Sequence, residues 1–431
     1  MAIEALSGWT KQQKSVVIAA FLGWMLDAFD FFVLVFVIKD IAKEFDVKLP
    51  EVAIAVTMTL ALRPVGAFLF GRFADRFGRR PVLMADVLLY SALGVASAFA
   101  PSLTAFIVLR CLFGVAMGGE WGIGASLTME TIPPKARGLI SGLLQCGYSS
   151  GYLVASIAYA TLFPMIGWRG MFMLGAVPAL LVLYIRIHVQ EPPGWKRPET
   201  IKVSGIAVDV FTALVMAALI ATIMLSSLFW PVKLGLVAVF LLVLTLMRGM
   251  TDTAASQILQ HWKLALFAIA LMTGFNFFSH GTQDIYPTFL QVQHGFSPAI
   301  VGAIAVTYNI GAIIGGISFG ALSERIGRRR TIIITVLMSL PIIPLWVLAN
   351  TPIWLAVGAF LMQIAVQGAW GVIPAYLNEI SPPAIRATFP GLMYQLGNLL
   401  ASVNAVFQTS IAVQNGNDFR VPLATVVGVT A

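Results

Sequence analysis

A run of polar residues in the second half of the chain has the types and the spacing to bind a substrate inside a membrane. Four of them fall at i, i+4, i+7 and i+8, on one face of a helix: Asn276, His280, Gln283 and Asp284. The preceding segment, Leu264 to Phe275, is apolar. Polar and ionisable groups at membrane depth are energetically unfavourable, and they are therefore usually present to bind a substrate or an ion. The pattern predicts a face that lines a water-filled cavity; a hydrogen-bonded cluster between helices is the alternative.

The composition indicates an integral membrane protein. Hydrophobic residues make up 59% of the chain and charged residues 11%, against about 25% charged residues in soluble domains. The first apolar run continues from Lys14 to Ile38 and is too long for the core of a signal peptide. Cys111 and Cys146 both fall inside predicted spans, which suggests neither a disulfide framework nor a metal site. We expect no metal and no other cofactor.

Apolar runs of membrane-spanning length recur along the whole chain and predict about 14 transmembrane helices. The last run, Phe419 to Ala431, would be about 20 Å long at the rise of an α-helix. It is shorter than a bilayer core of ~30 Å, so we expect this span to be incomplete. The expected spans are 15–38, 51–71, 81–100, 103–127, 138–163, 169–189, 207–229, 232–247, 262–290, 298–320, 331–349, 353–377, 387–412 and one from about 419.

The net charge of +8 follows the predicted topology. Counted against these spans, 19 Lys and Arg residues lie on one side and 6 on the other, with Arg63 and Arg110 inside the membrane. The positive-inside rule places the N-terminus and the loops 72–80 and 325–330 in the cytoplasm, at a plasma membrane such as a bacterial inner membrane. The basic residues are expected to contact anionic lipid headgroups, and no nucleic acid is expected as a partner.

The chain contains an internal duplication. Segments 71–80, 119–122 and 130–137 recur as 320–329, 368–371 and 379–386, each time with an offset of 249 residues. Parallel repeats of this kind are typical of secondary transporters, in which the substrate binds between the two halves near the middle of the membrane.

The repeated motif Gly-x-x-x-Asp-Arg-x-Gly-Arg-Arg resembles the loop signature of the major facilitator superfamily. The resemblance covers the whole chain and implies an all-α membrane fold of two six-helix lobes. Within that superfamily, the segment from Asn276 to Thr288 resembles the signature of fungal lactate permeases and their bacterial relatives, in the sialate:proton symporter family.

Sialic acid permeases of that family are similar to this chain in carrying two extra spans after the sixth. The resemblance therefore implies three regions. The chain would comprise an N-terminal lobe at 1–190, cytoplasmic linkers with two extra transmembrane helices at 191–260, and a C-terminal lobe at 261–431.

In the superfamily, the repeated loop closes the cytoplasmic side in the outward-open state. The resemblance implies a cytoplasmic gate made of both copies of the loop. The loops lack the Gly-Lys-Ser/Thr ending of a phosphate-binding loop, and their second glycines allow sharp turns. The predicted gate residues are Gly71, Asp75, Gly78, Arg79, Gly320, Glu324, Gly327 and Arg328.

Arg63 is the predicted anchor for a substrate carboxylate. A guanidinium group stays charged and offers two donors in a geometry that matches a carboxylate, and the related lactate permeases use an arginine in the second span. The alternative is a structural ion pair with Asp27 or Asp30. Gln395 and Asn398 resemble a Gln-x-x-Asn pair that lines the path in lactate permeases, with helix packing as the alternative.

The balance of charges inside the membrane favours proton coupling. Four acids, Asp27, Asp30, Glu120 and Asp284, face two permanent cations, Arg63 and Arg110. Unpaired buried carboxylates take up protons instead of staying ionised. We expect proton handling mainly in the first half, at Asp27, Asp30, Glu120 and Arg110, although His280 is a further candidate and Arg110 could instead be structural.

The sequence therefore predicts a proton-coupled symporter that imports a small organic acid of the lactate or pyruvate type by alternating access, acting as a monomer in the bilayer. A sialic acid or aromatic-acid symporter of the same fold is the alternative. A non-transporting receptor and an intramembrane enzyme are further alternatives. An enzyme would use His280 with Asp284 as an acid–base pair, but no nucleophile elbow or metal-ligand motif supports it.

Overall fold

The computed structural model describes residues 8–47, 49–195, 203–225, 233, 235–237, 254–402, 404–416 and 418–431. All regular secondary structure within these ranges is helical. The helices of the first half are α1 Lys11–Glu44, α2 Leu49–Phe77, α3 Arg79–Ser97, α4 Leu103–Thr131, α5 Arg137–Thr161, α6 Phe163–Met173 and α7 Val177–His188. They are followed by α8 Val203–Leu225 and α9 Ala254–Gln260.

The second half repeats this order. Its helices are α10 Trp262–Gln283, α11 Tyr286–Val292, α12 Pro298–Ile326, α13 Arg328–Ser339, α14 Ile343–Leu348, α15 Pro352–Trp370, α16 Ile373–Ile380, α17 Thr388–Ala401, α18 Asn404–Gln414 and α19 Arg420–Thr430. Short 3-10 turns occupy Pro134–Ala136, Leu174–Ala176, Leu340–Ile342 and Pro383–Ile385. The bounds of α12 are those of α2 shifted by 249 residues, so the duplication seen in the sequence is also present in the structure.

Ten helical segments in the described residues are long and apolar enough to cross a membrane. They correspond to ten of the 14 predicted spans. The fifth predicted span forms the helix α5 but is less apolar, the thirteenth is divided into α17 and α18, and the last forms the 11-residue α19. The first extra span is the helix α8, whereas the second, 232–247, lies outside the described residues except for Lys233 and 235–237.

The predicted span 262–290 is interrupted. The helix α10 ends at Gln283, and α11 begins at Tyr286 with Pro287 as its second residue. In a continuous helix Pro287 would have no N–H to donate to the carbonyl oxygen of Gln283, and its ring would clash with that carbonyl, which separates the two helices. Asp284 therefore caps the end of α10 and does not lie within a continuous helix.

The repeated loops turn sharply at glycine. Gly78 separates α2 from α3 with φ 108°, and Gly327 separates α12 from α13 with φ 90°. Both values lie in the region that side chains other than glycine rarely adopt. The two helices of each pair can therefore fold back on one another within a single residue.

Glycines also allow close contact between helices in each half. A Cβ at Gly118 of α4 would lie 2.0 Å from the carbonyl oxygen of Arg63 on α2. Between the equivalent helices of the second half, a Cβ at Gly315 of α12 would lie 2.4 Å from the carbonyl oxygen of Ile364 on α15. Small residues four apart bring backbones together in this way, and the contact fixes the position of Arg63 in the first half.

Candidate functional site

The buried centre of the first half is built around Arg63. Its guanidinium donates to Asp27 at 3.2 Å and to the sulfur of Met117 at 2.8 Å, and lies 5.7 Å from the ring centre of Phe31. The side chain of Arg63 is 3% exposed and that of Asp27 is 0% exposed. Of the two partners considered from the sequence, Asp27 is the one that contacts Arg63.

Arg110 lies in an aromatic pocket away from that pair. Its guanidinium donates to the hydroxyl of Ser97 at 2.8 Å and lies 3.9 Å from the ring centre of Phe113. It is fully buried and within electrostatic range of Asp30. Its surroundings therefore fit a structural or coupling role better than direct contact with a substrate.

A fifth acid in this region, Asp86, was not among the four counted from the sequence. Asp86 on α3 is fully buried, as are Glu120 on α4 and Asp27 on α1. The position falls within the predicted span 81–100, so the count of four intramembrane acids was wrong. A residue-by-residue search of that span for charged groups would have found it.

The four polar residues of α10 do not act as one surface. His280 and Asp284 contact each other at 3.1 Å, with side chains 32% and 42% exposed. Gln283 donates to Gln363 of α15 at 2.9 Å, and Asn276 donates to the carbonyl oxygen of its own helix at Met272. His280 and Asp284 are therefore solvent-accessible members of this face, whereas Gln283 and Asn276 bond to α15 and to the backbone of α10; a role of all four in substrate binding stays a prediction.

Helix α17 brings the amide pair of the second half to the same region. Asn398 interacts with the ring of His280, and Gln395 is buried with its side-chain oxygen unpaired among the described residues. Arg63 lies within electrostatic range of His280 across the boundary between the halves. The structure thus places Arg63 and Asp27 of the first half opposite His280, Asp284 and Asn398 of the second.

An aromatic layer spans both halves next to this polar group. Trp121 and Tyr394 have ring centres 4.7 Å apart, Trp370 lies 5.5 Å from Tyr394, and Trp24 stacks on Tyr148 at 5.6 Å. Trp121 and Trp370 are equivalent positions of the duplication. The repeat of Gly-x-Trp-Gly was visible in the sequence, but its position at the boundary between the halves was not.

The repeated loops meet the opposite half at the end of the molecule that carries them, here called the loop end. The carboxylate of Asp75 accepts hydrogen bonds from the backbone N–H of Ala387 at 2.9 Å and of Thr388 at 3.0 Å, where α17 begins. Glu324 accepts a hydrogen bond from the backbone N–H of Gly138, at the start of α5. Carboxylates are stabilised at helix N-termini by unpaired N–H groups and by the helix dipole.

A matching ionic group lies beside each of these contacts. Arg79 contacts Asp75 at 3.1 Å and Glu130 at 3.1 Å. The equivalent residues of the second half contact in the same order: Arg328 lies 2.8 Å from Glu324 and 2.9 Å from Glu379. All six residues correspond under the offset of 249.

Glycines bring the two halves into backbone contact at the loop end. A Cβ at Gly71 would lie 2.6 Å from the Cα of Thr388, and one at Gly122 would lie 2.8 Å from the Cα of Gly391. A Cβ at Gly142 would lie 2.1 Å from the carbonyl oxygen of Gly316. The loop end is therefore closed, while His280 and Asp284 on the far side of the aromatic layer remain solvent-accessible.

Known proteins agree with this architecture. The chain is 28% identical to a carboxylic acid transporter protein homolog of Saccharomyces cerevisiae over 95% of its own length and 63% of that protein. It is 23% identical to the sialic acid transporter NanX of Escherichia coli, with 97% and 93% of the two chains covered. Among solved structures, the proton:xylose symporter XylE matches with a TM-score of 0.69 at 18% identity, covering 97% of this chain and 94% of that one.

Two families of transport proteins match the sequence directly. Residues 253–430 match the family described as sugar (and other) transporter. Residues 20–283, more than half of the chain, match the major facilitator superfamily. The chain is therefore a membrane transporter, not an enzyme, and it belongs to the major facilitator superfamily.

Proposed function

We propose that this transporter is a proton-coupled symporter that imports a small organic acid, with a monocarboxylate of the lactate or pyruvate type as the first candidate. Import would proceed by alternating access of the cleft between the two halves. Both halves of the cleft belong to one chain, which supports function as a monomer.

The buried pair of Arg63 and Asp27 carries the proposal. The guanidinium of Arg63, in the first half, lies in electrostatic range of the accessible His280. One N–H of this guanidinium already bonds to Asp27 at 3.2 Å. A substrate carboxylate and an ionised Asp27 would compete for the same guanidinium. Protonation of Asp27 would release Arg63 for the substrate, so that binding of the acid and of a proton would favour each other.

The excess of acids supports the same mechanism. Asp86 joins the four acids counted from the sequence, and the arginines of this region remain Arg63 and Arg110. A substrate anion would engage an arginine and leave more carboxylates without a counter-ion. Burial of such uncompensated charge is highly unfavourable, whereas a proton that travels with the substrate removes the conflict.

On the second half, His280, Asp284 and Asn398 would orient the rest of the substrate. Their exposure and mutual contact support this role. Gln283 and Asn276 would support the site indirectly, through their bonds to α15 and to the backbone of α10.

An aromatic acid is the second candidate substrate. The layer formed by Trp24, Trp121, Tyr148, Trp370 and Tyr394 lies next to the polar group, and aromatic rings favour stacked or edge-to-face contact with a planar ligand. Lactate would use little of this surface. A sialic acid would instead need many hydrogen-bonding partners.

Asp75 and Glu324 would act as the two latches of a gate, together with the Arg79 and Arg328 groups beside them. With the N-terminus and both loops in the cytoplasm, as 19 basic residues against 6 favour, the closed loop end would correspond to an outward-facing state. Import would then require both latches to open.

Uptake into proteoliposomes tests the proposal. Labelled lactate, benzoate, muconate and N-acetylneuraminic acid should be compared with and without an inwardly directed proton gradient. We expect one carboxylate to accumulate, and an ionophore to abolish that accumulation. Accumulation that persists after the gradient has collapsed would contradict proton symport, and failure of all four acids to enter would contradict the substrate class.

A further inference from the structure

Asp86 is an acid in the core of the first half that has no counter-ion among the described residues. It has no solvent exposure, and neither carboxylate oxygen has a hydrogen-bond partner among the described residues. An isolated ionised carboxylate in a protein interior is highly unfavourable, and such a group binds a proton instead. Asp86 therefore has the surroundings of a neutral carboxylic acid in this conformation.

Glu120 on the facing helix α4 has the same surroundings. It is also fully buried, and both of its carboxylate oxygens lack a partner within the described part of the chain. Gly119 allows the two helices to approach here, since a Cβ at Gly119 would lie 3.3 Å from an oxygen of Asp86 and 2.5 Å from the Cβ of Phe70. Asp86 thus contacts the backbone of α4 one residue from Glu120.

The groups that face this pair do not neutralise it. Asp27 of α1 and Tyr90 of α3 lie in electrostatic range of both acids. The cation in electrostatic range of Glu120 is Arg63, which is bound to Asp27 at 3.2 Å. Neighbouring carboxylates without a free counter-ion cannot both stay ionised, and they titrate as a unit.

A small cavity lies beside Glu120. It has a volume of about 10 Å³ and is lined by Glu120, Trp24 and Trp121 of the first half and by Pro374 of the second. That is close to the space of a single water molecule. Because its wall includes residues of both halves, separation of the halves at the loop end would widen this cavity and hydrate Glu120.

We propose that Asp86 and Glu120 form a carboxyl pair that holds transported protons while the loop end is closed and releases them when that end opens. In the closed state each of the two carboxyl groups holds one proton. On opening, water reaches Glu120 through the cavity, stabilises the ionised form of the pair, and accepts the protons on that side of the membrane. This inference rests on the proposed proton symport and assigns Asp86 as a coupling residue.

The test compares two kinds of transport by Asp86→Asn in proteoliposomes. The asparagine has nearly the shape of the protonated acid but cannot release a proton. The substrate is the acid that the uptake panel identifies among its four probes. At equal pH on both sides of the membrane, we expect the rate at which this acid exchanges across the membrane to stay within about twofold of wild type. Accumulation driven by a proton gradient should fall by at least about tenfold. The equivalent buried residue of the second half, Thr335, provides the control. Thr335→Val should change neither the exchange at equal pH nor the accumulation driven by the gradient.

Wild-type accumulation by Asp86→Asn would overturn the proposal. Loss of exchange together with accumulation would also overturn it, because Asp86 would then be needed for translocation in general. Infrared spectroscopy gives a readout that needs no substrate: the carbonyl stretch of protonated carboxylic acids should lose intensity in Asp86→Asn and in Glu120→Gln. Unchanged intensity in both variants would contradict a protonated pair.

The wild-type protein separates this inference from the proposed function. If wild-type uptake does not depend on a proton gradient, the proposed symport is wrong regardless of Asp86. If wild-type uptake depends on the gradient and Asp86→Asn keeps that dependence, the symport stands and the role of Asp86 is wrong.

Discussion

Asp75 and Glu324 lie 249 positions apart, and each accepts a hydrogen bond from the N-terminus of a helix in the opposite half. Their targets, Ala387 and Gly138, are also 249 positions apart. The two contacts are therefore related by the internal duplication, and each half holds the other in the same way. The replacement of Asp by the longer Glu in the second copy does not remove the contact.

We predict that Asp75→Asn weakens closure of the loop end. Asparagine has one carbonyl oxygen and no charge, so it cannot replace a carboxylate that accepts from both Ala387 and Thr388. Hydrogen bonds to charged groups contribute about 1.5–3 kcal/mol, and the closed state should lose a stabilisation of this order. Hydrogen exchange at the start of α17, measured by mass spectrometry, should increase.

Glu324→Gln provides the matched comparison, because the duplication predicts a similar effect at the start of α5. Equilibrium binding of the transported acid should change little in either variant, since neither residue lies in the cleft. A large loss of affinity with unchanged hydrogen exchange would show that Asp75 acts on the binding site and not on the gate.

A second prediction concerns the backbone contact between Gly122 and Gly391. Gly122→Ala should prevent full closure of the loop end, because the new Cβ would lie 2.8 Å from the Cα of Gly391. We expect faster hydrogen exchange in α17 and slower turnover. Gly302→Ala is the control, because a Cβ there meets nothing within 4 Å. Equal hydrogen exchange in α17 of the two variants would mean that closure of the loop end does not need the contact between Gly122 and Gly391.

The duplication and the loop signature made the fold and the equivalent positions of Asp75 and Glu324 predictable. The three matching segments share one offset, and similar segments at similar positions require similar structures in the two halves. Packing between the halves was less predictable. The aromatic layer joins residues of α1, α4, α5, α15 and α17, and no local pattern brings those helices together.

The binding site was predictable in part. Helical periodicity grouped Gln283 with His280, but it cannot show that Gln363 of another helix lies 2.9 Å away. In the same way, sequence reasoning could not choose between substrate binding and ion pairing for Arg63. The structure shows the ion pair with Asp27, and that pair is what connects the proton to the substrate in the proposed mechanism.

The third prediction is that His280→Ala impairs uptake. His280 contacts Asp284 at 3.1 Å and has a solvent-accessible side chain in the cleft, so its loss should remove a partner for the polar part of the substrate. We expect uptake at low substrate concentration to fall by about 10-fold, as for loss of a hydrogen bond to a charged group. The exposed His261 at the end of α9 is the control, and uptake by His261→Ala at the wild-type rate is expected. Equal uptake by the two variants would exclude His280 from the site.

The fourth prediction is that Arg63→Lys weakens binding of the acid. Lysine keeps the charge but lacks the paired donors that match a carboxylate. We expect a loss of about 1.5–3 kcal/mol, which corresponds to roughly 10- to 100-fold in the dissociation constant. Isothermal titration in detergent measures it. Unchanged affinity would place the anchor elsewhere, and Arg63 would then be a structural partner of Asp27.

The last prediction separates competition from simple stabilisation at the same pair. If ionised Asp27 competes with the substrate for Arg63, the affinity of the wild-type protein should fall as the pH rises, because the carboxylate of Asp27 then keeps the guanidinium. Asp27→Asn removes the competing charge. The affinity of Asp27→Asn for the acid should vary less with pH than that of the wild type, and under alkaline conditions it should equal or exceed the wild-type affinity. The variant should also lose accumulation driven by a proton gradient. If Asp27 only stabilises the position of Arg63, the variant should bind the acid more weakly at every pH. Titrations of both proteins across neutral and alkaline pH distinguish the two, and weaker binding throughout would contradict the exchange of partners on Arg63.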